Sequence, residues 1–341
     1  MLEKISEEQL INTKRDILIY DKKKIKGNFI FTKEADERIQ KLYNQIKSNN
    51  PIMLEGPTGT SKTKTIQILC DLLDLKLIRI NLSSETTIED IMGRLISDKD
   101  NSFSGFIYKE GSFAEAYSKG YVLLLDEVNN APNPVLQCIL TALDSEKITQ
   151  SVPGIGLKTF YRHENFRIVA TQNPKLGAFS STRDRLSNKF YEIFQVIEFP
   201  DFSSKELNTI AYKAAKRQKY ENEEIINQIC SFHEEWVKSE YSKNNPQGFT
   251  VRDLNVSIKS IAEGKEPKDV ISCFYGSRYE RNVYIIMENI LKEKYPDLYK
   301  DINEISDLPK DFPKCFHSTQ LKQVFQFAKM GVENGKHILL V

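Results

Sequence analysis

Read as a string of apolar and polar positions, the chain changes rhythm twice. Residues 33–48 (KEADERIQKLYNQIKS) carry apolar side chains at helical spacing and stop at the polar pair Asn49-Asn50. Short apolar runs then alternate with helix-patterned stretches: PIMLE at 51–55, KLIRIN at 76–81, YVLLLD at 121–126, FRIVATQ at 166–172 and IFQVIEF at 193–199. Strands that are apolar at nearly every position must be covered on both faces, so this alternation predicts a parallel sheet between layers of helix. After Pro200 the strands stop. Residues 203–298 have helical spacing throughout, rich in Lys, Glu, Ile and Tyr, and predict a smaller all-helical unit.

The expected organisation is an N-terminal extension at 1–30, an α/β domain at 31–200, a helical lid at 201–299 and a linker at 300–317, where two prolines interrupt an aperiodic stretch. Residues 318–341 repeat the plan of residues 32–55, a helix, a polar break and a short apolar strand. They read either as a terminal helix with a docked strand or as the truncated start of a second copy of the module.

Composition narrows the class without choosing a chemistry. With 48 Lys and Arg against 47 Asp and Glu the formal net charge is +1, so no whole-chain field draws the protein to nucleic acid or an anionic membrane. Cys70, Cys138, Cys230, Cys273 and Cys315 are odd in number and lack CxxC spacing, the usage of reduced core cysteine inside a cell. The first residues have no apolar signal core, and no apolar run is long enough to span a bilayer. A soluble intracellular protein with no membrane association and no direct DNA binding is expected.

The chemistry begins where the first strand pattern ends. Gly56, Pro57, Thr58, Gly59, Thr60, Ser61, Lys62 and Thr63 follow the G-x-x-x-x-G-K-[ST] spacing of a phosphate-binding loop, except that Ser61 stands where the second glycine of the pattern falls. Gly56 and Gly59 let the backbone turn its N–H groups inward around a polyphosphate. Lys62 offers a cation to the β- and γ-phosphates, Thr63 a hydroxyl to Mg²⁺, and the following helix its positive dipole end. The run VLLLDE at 122–127 is a buried strand closed by two carboxylates. Asp126 is the expected Mg²⁺ partner and Glu127 the group that polarises the attacking water. FRIVATQ ends in Asn173-Pro174, which puts Asn173 beside the γ-phosphate if its strand lies between the other two; an Asn-Pro turn is the alternative.

With these residues in place the chain resembles the dynein-related AAA+ subfamily, most closely its midasin-type modules, and is also similar to the bacterial MoxR ATPases. The resemblance spans about residues 30–300 and rests on LEGPTGTSKT, INLSSETTIEDIMGRL, EGSFAEAYSKGYVLLLDEVNNAP, FRIVATQNP and GFTVRDL in that order. It implies an AAA+ fold, Lys62 and Thr63 as Walker A, Asp126 and Glu127 as Walker B, Asn173 as sensor 1 and Arg252 as sensor 2. From its residue type alone Arg252 also reads as a surface helix cation. An arginine finger is expected near STRDRLSNKF at 181–190, where Lys189 holds the usual arginine position and Arg183 and Arg185 lie nearby. Residues 84–112 and 146–165 are expected to form surface hairpins, with Phe103, Phe106 and Tyr108 suited to contact.

The resemblance implies ATP and Mg²⁺ as cofactors, ATP hydrolysis, and remodelling of a protein or ribonucleoprotein complex such as a ribosome precursor. Partners would be further AAA+ modules, in tandem or in a ring. It implies the nucleus if the midasin likeness extends to function, and the cytoplasm otherwise. A catalytically weak ATP-binding scaffold and a GTP-using relative of the McrB restriction motors are the rival readings.

Overall fold

The computed structural model describes residues 29–97, 106–173, 186–243 and 249–299. The chain divides between Asp201 and Phe202 into two compact units, each with a core of its own.

In the first unit, helix α1 (Lys33–Lys47) is started by Thr32, whose hydroxyl accepts the Ala35 amide at 3.0 Å. Glu34 and Asp36 sit in its first turn and Lys47 in its last, matching the helix dipole. It leads to strand β1 (Ile52–Glu55), the 56–61 loop and helix α2 (Lys62–Leu72). Strand β2 (Leu77–Asn81) follows, then helix α3 (Ile88–Met92), the hairpin β3 (Gly93–Ser97) and β4 (Phe106–Glu110), and helix α4 (Ser112–Lys119). Strand β5 (Val122–Asp126), helix α5 (Asn133–Leu143), a second hairpin of β6 (Lys147–Val152) and β7 (Gly156–Tyr161), strand β8 (Arg167–Gln172), helix α6 (Asn188–Ile193) and strand β9 (Gln195–Glu198) complete the unit.

The central sheet has the order β2-β5-β8-β1-β9, and every neighbouring pair is parallel. The two-residue side-chain period deals its strands into two cores. Ile52, Leu54, Val122, Leu124 and Val169 face one side, against Ile39 and Leu42 of α1 and Ile66 and Leu69 of α2. Met53, Leu123, Leu125, Ile168 and Ala170 face the other, against Phe113 and Tyr117 of α4 and Ile139 of α5. The three-layer arrangement expected from the apolar runs is the one found.

The last apolar run is shorter as a strand than the pattern 193–199 suggests. Ile193 closes α6 and Phe194 caps it, because Phe190 and Phe194, four residues apart on a helical turn, stack at 4.4 Å in the core. Pairing therefore starts at Gln195. The two surface hairpins are also more joined than their polar sequences imply. Tyr108 donates to the Met92 carbonyl at 2.9 Å and meets Gln150 at 2.8 Å, and Gln150 returns a hydrogen bond to the Gly93 carbonyl. Tyr108 is thus partly buried, Phe106 is 59% exposed, and Phe103 lies outside the described residues.

In the second unit the described residues form helices only: α7 (Ser204–Arg217), α8 (Glu223–Lys238), α9 (Glu240–Lys243), α10 (Val251–Ala262), α11 (Pro267–Phe274) and α12 (Arg281–Lys294), with short 3₁₀ turns. Side-chain caps start several of them, including a capping box between Thr250 and Asp253. Their core is aromatic: Phe232 meets Tyr275 edge-on at 5.4 Å, and Phe249 stacks on Tyr275 at 4.8 Å. Among the described residues of both units no helix is long and apolar enough to cross a membrane.

His233 is buried in this core with Nδ1 2.7 Å from the Tyr275 hydroxyl. Burial pushes its pKa down to about 4, against the weaker upward pull of Asp253 and Glu234. The unfolded chain takes up this proton near the ordinary value of 6.5, whereas the folded chain refuses it until about 4. The stability contributed is therefore complete above the unfolded value and is lost as pH falls between the two. Urea unfolding followed by Trp236, the only tryptophan and buried in this core, should show a loss of about 2 kcal/mol between about pH 7 and pH 5 that His233→Gln largely removes.

Candidate active site

Parallel strands present their carboxyl ends along one edge, and the candidate residues follow or close three such ends. The loop after β1 is anchored by the Gly56 amide, which donates to the Gln172 carbonyl of β8 at 3.3 Å. Gly59 (φ 89°) and Ser61 (φ 66°) then take left-handed backbone conformations. The Thr60 hydroxyl holds the turn closed by donating to the Pro57 carbonyl at 2.9 Å. Among the described residues no backbone acceptor is found for the amides of Gly59, Ser61 and Thr63, as expected for a loop opening a helix. They lie beside the α2 N-terminus, where backbone donors attract an anion.

Lys62, though charged, is buried. Its ammonium donates to the carbonyls of Gly56 at 2.6 Å and Pro57 at 2.8 Å, and to Asn173 Oδ1 at 2.9 Å. That last contact exists because β8 does lie between β1 and β5. One residue further along α2, the Thr63 hydroxyl donates to the Asp126 carboxylate, 3.1 Å from Oδ1 and 3.2 Å from Oδ2. Asp126 closes β5 and is 5% exposed. Glu127 follows in a left-handed conformation (φ 56°), with its amide donating to Thr171 Oγ1 at 3.0 Å and its carboxylate accepting from Asn130 Nδ2 at 2.9 Å. Positive φ at a glutamate is uncommon, and the turn aims its side chain away from the strand direction.

Three partners in this cluster were not singled out by sequence reading. Thr171 donates a short hydrogen bond to Asp126 Oδ1, Arg79 of β2 places NH2 2.5 Å from Asp126 Oδ2, and Asn130 holds Glu127. Arg79 left a signal, a lone cation inside the apolar run LIRIN; Thr171 and Asn130 left none beyond their place next to Asn173 and Glu127.

Arg252 sits in the second unit, exposed in the first turn of α10 after its cap Thr250. Lys189 pairs with Asp144 at 2.7 Å, and Arg183 and Arg185 fall outside the described residues.

A parallel sheet of this order, with a glycine-rich loop opening a helix beside an acidic strand end, defines a P-loop nucleotide-binding domain of the AAA+ class. Residues 51–194 match the AAA domain of the dynein-related subfamily. Midasin of Dictyostelium discoideum is 28% identical over 255 residues, 72% of this chain but only 4% of that protein. Midasin of Giardia intestinalis is also 28% identical, over 54% of this chain and 4% of its own length. An uncharacterized protein of Staphylococcus epidermidis is 26% identical over 55% of this chain and 68% of its own. A solved structure from Cytophaga hutchinsonii overlays only loosely, with a TM-score of 0.42 at 20% identity, covering 76% of this chain and 83% of that one.

The residues present fit a nucleotide polyphosphate with a divalent ion. Thr63 and Asp126 bring hard oxygen atoms together beside the loop amides, the donor chemistry that Mg²⁺ prefers. Among the described residues no three His, Cys, Asp or Glu side chains converge, so such an ion would draw its remaining ligands from phosphate and water.

Two substitutions test the loop. A Cβ on Gly56 would lie 2.0 Å from the Phe199 carbonyl oxygen, a backbone atom that cannot turn away. Gly56→Ala should therefore lower stability by about 2 kcal/mol or more in chemical denaturation. Ser61 occupies the conformation that glycine adopts without strain. Ser61→Gly should keep nucleotide affinity and match or raise stability by up to about 1 kcal/mol, whereas Ser61→Val should lose both.

Proposed function

We propose that this chain is an ATPase motor module that binds Mg-ATP on the 56–63 loop, hydrolyses it and uses the cycle to remodel a macromolecular complex. The observation that carries the reading is the convergence of Lys62, Thr63, Asp126 and Asn173, linked by hydrogen bonds of 2.9 to 3.2 Å across three strand ends. Buried polar groups drawn together at the open edge of an α/β sheet are what a phosphate site requires.

In this reading Lys62 exchanges the Gly56 and Pro57 carbonyls for β- and γ-phosphate oxygens. Both partners are already within reach of its ammonium, so the exchange needs no rebuilding of the loop. Thr63 rotates its hydroxyl to offer a lone pair, and Asp126 holds its carboxylate where the Thr171 hydroxyl fixes it. A bound Mg²⁺ supplies positive charge against the phosphates. Glu127 takes the proton of the attacking water, with Asn130 keeping its carboxylate oriented. Asn173 reports on the γ-phosphate through an amide that can contact Lys62 or phosphate oxygen.

Arg252 is proposed to carry that state into the helical unit, which would serve as a lid. A neighbouring module, in tandem or in a ring, would complete the site with Arg183, Arg185 or, as a point charge without the bidentate fork, Lys189. The substrate is proposed to be a protein or ribonucleoprotein complex, which is what the midasin-type resemblance of the motifs implies.

Lys62→Ala should weaken ATP binding about tenfold or more, and Glu127→Gln should keep that affinity while slowing phosphate release roughly a hundredfold. Unchanged affinity in Lys62→Ala would remove the nucleotide reading. Negligible phosphate release in wild type and Glu127→Gln alike would leave a binding scaffold.

A further inference from the structure

We infer that Arg79 is the resident counter-ion of Asp126, and that it competes with the divalent cation for that carboxylate. The inference rests on the proposed Mg-nucleotide site and concerns how the site is kept ready before the metal arrives.

The placement follows from the sheet register. Arg79 pairs with Leu124 and Asn81 with Asp126, so Arg79 and Asp126 are diagonal neighbours two residues apart on one face of adjacent strands. A long side chain spans that diagonal, and NH2 lies 2.5 Å from Oδ2. A carboxylate has about four lone-pair positions. Here three donors approach them: the Thr63 hydroxyl, shared between both oxygens, the Thr171 hydroxyl on Oδ1 and the Arg79 guanidinium on Oδ2.

The three donors are not equivalent toward an arriving cation. Thr63 can rotate its O–H away and present a lone pair to the same ion. Arg79 has only N–H donors and cannot become a ligand, and its fixed positive charge repels a divalent ion bound to the same oxygen. Either the guanidinium withdraws or the ion binds more weakly. The two partners differ in their freedom to move: the Arg79 side chain is 48% exposed, that of Asp126 only 8%. Arg79 also lines an open cleft of about 390 Å³ together with Glu85 and Asp90. The displaced guanidinium has room there, with the Glu85 carboxylate on the same cleft, while Asp90 is held by Arg94 and the Thr87 cap.

Without Arg79 the ligand-free chain would hold a buried carboxylate with hydroxyl donors alone, which costs stability. With it, the ion must displace a cation first. Because linkage is reciprocal, removing one competitor strengthens the other.

The test uses the full chain and ATP, with Mg²⁺ titrated calorimetrically, and melting temperature measured in EDTA without nucleotide. Arg79→Met, which keeps the stem and loses the charge, should lower the half-saturating Mg²⁺ concentration about fivefold or more and lower the ligand-free melting temperature. Arg79→Lys, which retains a cation but not the planar fork, should fold as wild type and lower half-saturating Mg²⁺ about twofold. It decides the question should Arg79→Met fail to fold. Half-saturating Mg²⁺ that is unchanged or higher in the folded variants would overturn the inference and make Arg79 a permanent brace. Lys62→Ala run alongside separates the two levels: normal loss of ATP affinity there with unmoved Mg²⁺ dependence removes only the role of Arg79, while unchanged affinity removes the nucleotide site beneath it.

Discussion

Everything at the candidate site depends on β8 pairing in parallel with both β1 and β5. Parallel pairing brings the carboxyl ends of the strands to one edge of the sheet, and the insertion of β8 between strands that come earlier in the chain sets Thr171 and Asn173 between the loop after β1 and the acid that closes β5. Lys62 then has an amide oxygen to donate to, and Asp126 a hydroxyl to accept from. The pairing is held by apolar side chains that are buried on both faces, so the geometry of the polar edge is fixed by a core that contains none of its residues. Such separation lets a site hold strained backbone without unfolding the sheet.

Two of the non-glycine residues with left-handed backbone lie at the candidate site. Ser61 and Glu127 both adopt left-handed conformations, one at the entrance to α2 and one just past Asp126. Each ends a segment that must change direction abruptly while keeping a functional group at the sheet edge. The surrounding hydrogen bonds, Thr60 to Pro57 on one side and the Glu127 amide to Thr171 on the other, hold these turns in place. Asp126 stands between them with hydroxyl donors from Thr63 and Thr171, and the guanidinium of Arg79 gives the carboxylate a positive partner in the ligand-free chain. The buried carboxylate is thereby paired in the ligand-free chain.

The second unit has a different physical basis. Its core is built on stacked and edge-on aromatics, with His233 held neutral beside Tyr275 and the partly buried ion pair of Arg278 and Asp253 at 2.5 Å. Asp253 also closes the capping box that starts α10, so the turn carrying Arg252 is tied into that core through its neighbour.

Much of this was readable beforehand. The apolar runs specified buried parallel strands because only a sheet covered on both faces tolerates Val, Leu and Ile at successive positions. The spacing of Gly56, Gly59, Lys62 and Thr63 specified the loop because its function needs particular backbone conformations and one cation at a fixed distance along the chain. Information of that kind is local, and a sequence carries it explicitly. The partnership of Asp126 with Arg79 and Thr171, 47 and 45 residues away, depends instead on strand order and register. Neither is written in any short segment: both emerge when helices and strands from the whole unit pack together. The same holds for the shortened β9, where stacking of Phe190 on Phe194 outweighed a local pattern that read as strand. The sequence by itself determined which elements form and which residues can do chemistry. Tertiary structure decided which of them meet, since contact between distant residues is set by the packing of the whole and not by local preference.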